Sequence, residues 1–320
     1  MIGERDALAK APPFTPFAPR DAKVTRVPNP SKPAPKIDLG ALPVPVPGLH
    51  IVATPIGNLS DITLRALATL AHADIVYCED TRHSRRLFDH FGLSPRLAAY
   101  HEHNAAEKRG EILVALADGK TVALISDAGT PLISDPGFKL VREVVAAGHV
   151  VTTEPGPSAA IAALTLAGLP TDRFLFLGFL SPKSAARRED ILGVKDVRAS
   201  LVIYESPQRV SATLADLAQC LGPRPAAIAR EVTKLHEEVR RGTLSTLAAQ
   251  FTEAETPKGE IVIVVGPPGD EVPEEADLDA ALTNALAHAS LKEAVAQVTA
   301  DLGVSRRIVY ARALALSKKS

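Results

Sequence analysis

The alternation of short apolar runs with helical segments most constrains the fold of this chain. From residue 49 onward, apolar runs of four or five residues are separated by stretches of helical periodicity. Strand–helix alternation of this kind predicts α/β architecture with a parallel sheet. The first series places strands at 49–53, 75–78, 97–100, 122–125 and 150–153, and helices starting near 60, at 81–90 and at 104–119.

A second series of strands and helices follows Pro170. Strands are predicted at 174–180, 201–204, 226–232 and 260–265, with a strand or hairpin arm at 239–243; helices are predicted at 185–192, 210–220 and 244–251. In the first series, Asn104 with Glu107 three residues later has the pattern of a capping box. We therefore expect two α/β domains, over residues 48–169 and 170–268.

The two ends of the chain have a different character. Residues 1–47 are rich in proline and lack periodic apolar residues, so we expect a disordered or extended segment. The acidic stretch 269–280 is interpreted as a linker to a helical module over 281–320. In that module a Gly303-centred turn between two helices resembles a helix-turn-helix, with Arg306 and Arg307 on the second helix as candidates for contact with nucleic acid. A helical hairpin that packs on a neighbouring domain or partner is the alternative.

Composition narrows the class of protein. The net charge of −1 provides no overall basic surface, so contact with nucleic acid must come from local patches. Cys78 and Cys220 lack metal or disulfide spacing, and we expect free structural thiols. No secretory signal pattern begins the sequence, and the longest nearly apolar stretch, 159–170, is shorter than the roughly 20 residues that span a bilayer. We expect a cytoplasmic protein.

Three loops rich in glycine and proline each follow a predicted strand. They are residues 54–58, 126–137 and 154–159. Ligands of open parallel sheets bind at the carboxyl ends of the strands, so these loops predict one shared pocket, unless they are ordinary turns. The sequence lacks both GxG and GxxxxGK[ST]. A nucleoside–amino acid such as S-adenosylmethionine, held by backbone groups, fits this pattern better than a nucleotide phosphate.

Charged side chains also cluster after predicted strands. Glu79, Asp80 and Arg82 are the catalytic candidates, because acids and a cation at a strand end can supply a base and stabilise developing negative charge; a helix start capped by Thr81 with solvated charges is the alternative. The substrate-binding candidates are Asn58, His83, Tyr204, Arg209, Arg230 and Lys234. For Arg230 and Lys234 the alternative is a solvated ion-pair cluster, and for Tyr204 a core position. His101 and His103 flank Glu102 without metal-site geometry, and we predict no metal.

The motifs VATPIGNLSDITLRAL, EDTRHS, SDAGTPLISDPG, EPGPSA, YESPQR, REVTKLHEE and GEIVIVVGP together resemble the tetrapyrrole-methylase superfamily, in particular its ribosomal RNA branch. The resemblance spans about residues 48–268, and the helical end is also similar to that branch. It implies two α/β domains with S-adenosylmethionine in the cleft between them, a homodimer, and 2′-O-methylation of a cytidine in the decoding region of 16S ribosomal RNA within the small subunit.

By this resemblance, cofactor-binding residues come from the three loops, with weaker candidates in the second domain. They are Pro55, Gly57, Asp127, Ala128, Gly129, Thr130, Pro131, Ile133, Ser134, Ser158, Ala159, Phe179, Leu180, Glu260 and Ile261. Two alternatives stay open: a tetrapyrrole C-methyltransferase, which would not need the basic helical end, and a non-enzymatic RNA-binding assembly protein.

Overall fold

A computed structural model describes residues 22–23, 42–135, 137–269, 275–302 and 306–317. Two compact units are present. One contains both β-sheets and extends to Gly266; the other contains residues 267–320 together with the short segment 195–198. Nearly all of the proline-rich segment 1–47, part of the expected linker and the turn around Gly303 lie outside the described residues, so the predictions for them stay untested.

The first sheet of the larger unit is fully parallel. Its strands are β2 (Gly48–Val52), β3 (Ile75–Cys78), β4 (Leu97–Ala99), β5 (Thr121–Ile125) and β6 (Val151–Glu154), in the order β4-β3-β5-β2-β6. The helices between them are α1 (Leu64–His72), α2 (Thr81–Phe91), α3 (Ala105–Ala117) and α4 (Phe138–Ala146). Because β2, β3 and β5 are buried along their whole length, they consist of nearly continuous apolar residues.

The second sheet is mixed rather than parallel. Its strands are β1 (Ala22–Lys23), β7 (Phe174–Phe179), β8 (Ser200–Glu205), β9 (Pro225–Arg230), β10 (Glu238–Thr243) and β11 (Ile261–Val265), in the order β1-β10-β9-β11-β8-β7. Only β7 and β8 pair in parallel; the other neighbours are antiparallel. The carboxyl-end rule for parallel sheets therefore applies to the first sheet and to β7–β8 alone.

Helices cover both faces of the second sheet. Helices α6 (Ser184–Gly193), α7 (Val210–Leu221) and α8 (Leu244–Glu253) pack on one face around Leu214, Leu217 and Leu247. On the opposite face lies α5 (Ala159–Ala167), which precedes the sheet in sequence and buries Ala163 and Leu164 against it. Although α5 falls within the predicted first domain, its apolar side belongs to the core of the second sheet.

Two helix starts differ from expectation. Asn104 occupies the position before α3 but makes no cap bond; its Oδ1 accepts from the His101 amide at 2.9 Å and its Nδ2 donates to the Ala99 carbonyl at 3.0 Å. The predicted capping box is therefore wrong, because the side chain satisfies the preceding turn instead. At α2 the cap is Asp80, whose Oδ1 accepts from the Arg82 amide at 2.8 Å, and not Thr81.

The smaller unit is a three-helix module of α9 (Glu275–Leu286), α10 (Leu291–Leu302) and α11 (Arg306–Ser317). Since α9 begins at Glu275, the expected linker 269–280 is helical from residue 275 onward; acidic residues are favourable in a first helical turn. Ser290 and Glu293 form a capping box at α10. Arg312 of α11 pairs bidentately with Asp279 of α9 at 2.5 and 2.7 Å. Arg306 and Arg307 are exposed.

Candidate functional site

Hydrogen bonds hold the three glycine- and proline-rich loops together. Thr54 and Gly129 exchange two backbone bonds, of 2.9 and 3.1 Å, which fasten the first loop to the second. The Thr130 hydroxyl donates to the Pro157 carbonyl at 3.0 Å and fastens the second loop to the third. The expected convergence of these loops is therefore present in the structure.

Strained backbone shapes the second loop. Gly129 has φ of +82°, and Leu132 and Ser134 have φ of +72° and +61°, a region that residues with a Cβ rarely adopt. Gly178 of β7, at φ of +63°, lies so close that a Cβ there would stand 2.9 Å from the Ser134 hydroxyl. Strain of this kind clusters at ligand sites, where the surrounding structure holds it in place.

The loops enclose a cavity of about 380 Å³, here called the loop cavity. Its volume lies within the roughly 300–1,000 Å³ of typical small-molecule sites. Its walls come from the three loops and from β7, β8 and β11. The expected cofactor residues that line it are Ala128, Gly129, Thr130, Ile133, Ser134, Ser158, Ala159, Phe179, Glu260 and Ile261.

Five expected cofactor residues lie elsewhere. The side chain of Leu180 is buried in the core under α6 and α7. Pro131 borders a small space beside Glu79. Pro55, Gly57 and Asp127 line a neighbouring cavity instead. The loop cavity is also lined by residues that were not named individually as cofactor-binding from the sequence, although some of them belong to the predicted loops: Ile56, Asp135, Glu205, Ser206, Pro207, Gly259 and Val262.

The side chains of the loop cavity are apolar, uncharged polar or acidic. Ile56, Ile133, Phe179 and Val262 contribute apolar surface, and the charged lining residues are Asp135, Glu205 and Glu260; none of the lining residues is a lysine, arginine or histidine. Burial, with the nearby Glu79 charge as the second cause, raises the pKa of Asp135 to about 6. The cavity is therefore suited to a cationic ligand with an apolar body.

Tyr204 packs against the core and also lines the loop cavity, so it has features of both the core position and the binding residue that the sequence suggested. Its ring lies edge-on to Phe176 and Phe179, with centroids 4.9 and 5.6 Å away, and also lines the loop cavity. Its hydroxyl accepts from the Ala160 amide at 3.2 Å, in the first turn of α5. An aromatic wall fixed in this way offers a flat surface to a planar ring.

A second cavity of about 250 Å³, here called the α2 cavity, lies at the start of α2. Pro55, Gly57 and Asp127 line it together with His83 and Arg86. Arg82, His83, Arg85 and Arg86 are exposed. Within the described part of the chain, Arg85 and Arg86 form no ion pair. This surface therefore presents positive charge to solvent.

The catalytic candidates separate into different roles. Asp80 caps α2, and the Arg82 amide followed by the Arg82 guanidinium lowers the pKa of its carboxyl. A lowered pKa makes Asp80 a weak base. Arg82 is 92% exposed and 3.5 Å from Asp80, free to reach a large substrate. Glu79 is exposed beside Asp135 and borders the small space near Tyr100.

The cations expected to bind substrate from the second domain are paired internally. Arg209 donates to the Leu180 carbonyl at 2.7 Å and lies 3.4 Å from Glu205. Arg230 pairs with Glu238 at 2.9 Å. Both guanidinium groups therefore have partners within the second sheet and its loops, an arrangement that favours the alternative of an ion-pair cluster for Arg230.

Lys234 contacts a residue of each cavity, Glu260 of the loop cavity and Gly57 of the α2 cavity. Its Nζ lies 2.8 Å from Glu231 and 3.4 Å from Glu260, and the hydrogen bond to Glu231 raises its pKa although burial alone would lower it. Its aliphatic stem covers Gly57, where a Cβ would stand 2.4 Å from the Lys234 Cγ. Asn58, the remaining substrate candidate, accepts from the Ser60 amide with its Oδ1 and caps a short 3₁₀ turn.

Comparison with known proteins gives the family. The family model "Tetrapyrrole (Corrin/Porphyrin) Methylases" matches residues 48–248. The chain belongs to this family. The resemblance stated from the motifs is thereby confirmed, and so is the fold class. A second model, "RsmI C-terminal HTH domain", matches residues 272–317, which contain the three-helix module.

Relatives of known name agree with the family models. The chain is 50% identical over 275 residues to ribosomal RNA small subunit methyltransferase I of Mesorhizobium japonicum, covering 86% of this chain and 94% of that one. It is 46% identical over 279 residues to the protein of the same name from Pseudomonas aeruginosa, covering 85% and 98%. A solved diphthine synthase superposes with a TM-score of 0.54 at 18% identity over 68% of this chain and 89% of that chain, which shows the fold alone.

The family makes this chain a methyltransferase and excludes the non-enzymatic alternative. Among the described residues, no helix is long and apolar enough to cross a membrane. Within the same residues, no group of three His, Cys, Asp or Glu side chains is placed to hold a metal ion.

Proposed function

We propose that this methyltransferase uses S-adenosylmethionine to methylate the 2′-hydroxyl of a cytidine in the decoding region of small-subunit ribosomal RNA. The observation that carries the donor assignment is the loop cavity, whose lining includes three carboxyl groups and no cationic side chain. The names of the relatives support ribosomal RNA as the acceptor. The resemblance in the motifs supports the ribose oxygen of a cytidine.

The residues of the loop cavity fit this donor. Apolar walls and the ring of Tyr204 suit an adenosine, and the acidic lining suits a ligand with net positive charge. S-adenosylmethionine supplies a methyl group on a cationic sulfur, which leaves as a neutral thioether. The hydrogen bonds of Thr54, Gly129 and Thr130 fix the loops before the ligand binds, so less entropy is lost on binding.

The acceptor side is proposed to be the α2 cavity and its basic rim. Arg82, His83 and Arg86 face solvent at the start of α2, where they would hold the phosphates that flank the target nucleotide. Glu79 is the remaining candidate base, since it is exposed and has no cationic partner among the described residues. Asp80 would orient Arg82 rather than accept a proton.

The three-helix module is proposed to contact the same RNA. Arg306 and Arg307 are both exposed on α11, whereas Arg312 on the same helix is committed to Asp279. Replacing both exposed arginines with alanine should weaken RNA methylation and leave donor affinity unchanged. Lys292→Ala, which removes one exposed cation from α10, is the control for a general loss of charge.

The decisive experiment maps 2′-O-methylation along ribosomal RNA from cells with and without the gene, and repeats it in vitro with purified small subunits. Loss of one methylated cytidine in the decoding region, restored by the purified chain with S-adenosylmethionine, is the expected result. An unchanged methylation map, together with methylation of a tetrapyrrole carbon by the purified chain, would refute the assignment.

A further inference from the structure

The three carboxyl groups of the loop cavity differ in their partners. Glu205 is fully buried, and its two oxygens accept from the Ser206 amide at 2.7 Å and the Thr213 hydroxyl at 2.6 Å. Glu260 is 67% exposed and lies 3.4 Å from the Lys234 ammonium. Both charges are therefore compensated or screened by water.

Asp135 is the exception. It is half-buried and forms no ion pair within the described residues. Among the described residues, the Ser126 hydroxyl is the group that favours its ionised form, whereas burial, and then repulsion from Glu79 and Asp127, raise its pKa. Tyr204, which lines the same cavity, is uncharged at neutral pH, since burial raises the pKa of its phenol. Tyr100, on its other side, behaves in the same way.

We propose that Asp135 selects the cationic methyl donor over the neutral thioether product. The proposal rests on the proposed donor, S-adenosylmethionine. A carboxylate that has lost water and has no protein cation is stabilised when a ligand brings positive charge into the same cavity. After transfer of the methyl group that charge is gone, so the product loses this interaction and is released more readily.

The same carboxyl gives donor binding a specific pH dependence. With a pKa of about 6 in the free protein, Asp135 is largely ionised at pH 7 and largely protonated at pH 5. A cation binds the ionised form better, so donor affinity should fall roughly tenfold from pH 7 to pH 5 if the bound carboxyl titrates about two units lower. Affinity for the thioether should change much less over this range.

Isothermal titration calorimetry of the full chain with three probes tests the proposal. The probes are S-adenosylmethionine, the neutral S-adenosylhomocysteine, and sinefungin, which has an ammonium in place of the sulfonium. At pH 7 we expect Asp135→Asn to weaken the two cationic probes by up to about a hundredfold, the factor that corresponds to a shift of two pKa units, and the neutral one by less than about threefold. Asp118→Asn, which removes an exposed acid that lines neither cavity, should preserve the wild-type ratio.

The outcomes separate this proposal from the proposed function. If the wild-type chain binds no probe, the donor assignment itself is wrong. If Asp135→Asn weakens all three probes equally, the carboxylate contacts a part that they share, such as the amino-acid group, and charge selection is wrong. The wild-type pH series requires no variant, so a donor affinity that is constant from pH 7 to pH 5 refutes the proposal even if the variant does not fold.

Discussion

Replacing Asp135 with asparagine should stabilise the fold, and more so at alkaline than at acidic pH. The pKa of an unperturbed aspartate carboxyl is 3.8, and the pKa of Asp135 in the folded chain is about 6. A raised pKa means that ionisation is less favourable in the folded state than in the unfolded state. The free-energy cost of holding the ionised carboxyl in the folded state is small below pH 3.8, grows between pH 3.8 and pH 6, and is complete above pH 6. The wild-type chain therefore loses stability as the pH rises through this window.

The size of the effect follows from the shift. About two pKa units correspond to about 3 kcal/mol at 1.36 kcal/mol per unit, which is an upper limit. Because Asp135 is only half-buried, solvent screening should reduce this to about 1–2 kcal/mol at pH 8. At pH 4.5 only about a third of the penalty is present, because the folded carboxyl is then protonated. Asparagine keeps the shape and removes the charge.

Urea denaturation followed by far-UV circular dichroism measures this difference, since the chain has no tryptophan for fluorescence. We expect the gain of Asp135→Asn over wild type to be at least twice as large at pH 8 as at pH 4.5. Asp118→Asn, at a surface position that is 58% exposed, serves as the control and should show no such trend. An equal gain at both pH values, or a loss at pH 8, would refute the account of a desolvated carboxylate.

Three further predictions concern the loops and their cations. Gly129→Ala should lower the free energy of unfolding by about 1–2 kcal/mol because of its φ of +82°, and should lower donor affinity about tenfold because the new Cβ would stand 3.2 Å from Ile56. Gly148→Ala, at φ of +79° with no neighbouring atom, is the control. In thermal melts it should show the same loss of stability, and in calorimetry no loss of donor affinity. Arg82→Ala should leave the donor Kd within about twofold and reduce kcat/KM for RNA, because the side chain is 92% exposed; loss of donor binding would contradict this division of the site. Lys234→Met, which keeps the apolar stem over Gly57, should lower the free energy of unfolding in urea by less than about 1 kcal/mol, and by less than Lys234→Ala does. Equal losses in the two variants would show that the charge of Lys234 matters more than its packing.

The sequence predicted the strands and the convergence of the loops because both depend on local signals. Apolar runs of four to six residues between turn residues indicate strands, and glycine with proline after a strand indicates a loop that approaches a ligand. Strand direction in the second sheet has no such signal: β9, β10 and β11 are apolar or mixed runs whose antiparallel pairing depends on the connections between them. The capping box at Asn104 failed because a nearer turn competed for the same side chain.

The residues missed by the sequence analysis depend on tertiary contacts. Gly178 looks like an ordinary residue of an apolar strand, and its role becomes visible only when Ser134 lies against it. Asp135 stands in a motif that already contains Asp127, and nothing local distinguishes the two carboxyls. Burial beside Glu79 makes Asp135 different, and that arrangement requires β3 and β5 to be neighbours in the sheet.

The distribution of charge explains how one compact unit can receive two reactants of opposite sign. Carboxyl groups and no cations line the loop cavity, which repels the phosphates of RNA and attracts a sulfonium donor. Exposed Arg82, His83 and Arg86 at the start of α2 have the opposite preference. Thr54 and Gly129, joined by two backbone bonds, belong to the loops that border both cavities. With the proposed donor and acceptor, long-range electrostatics would therefore direct each reactant to its own side of this junction before any specific contact is made.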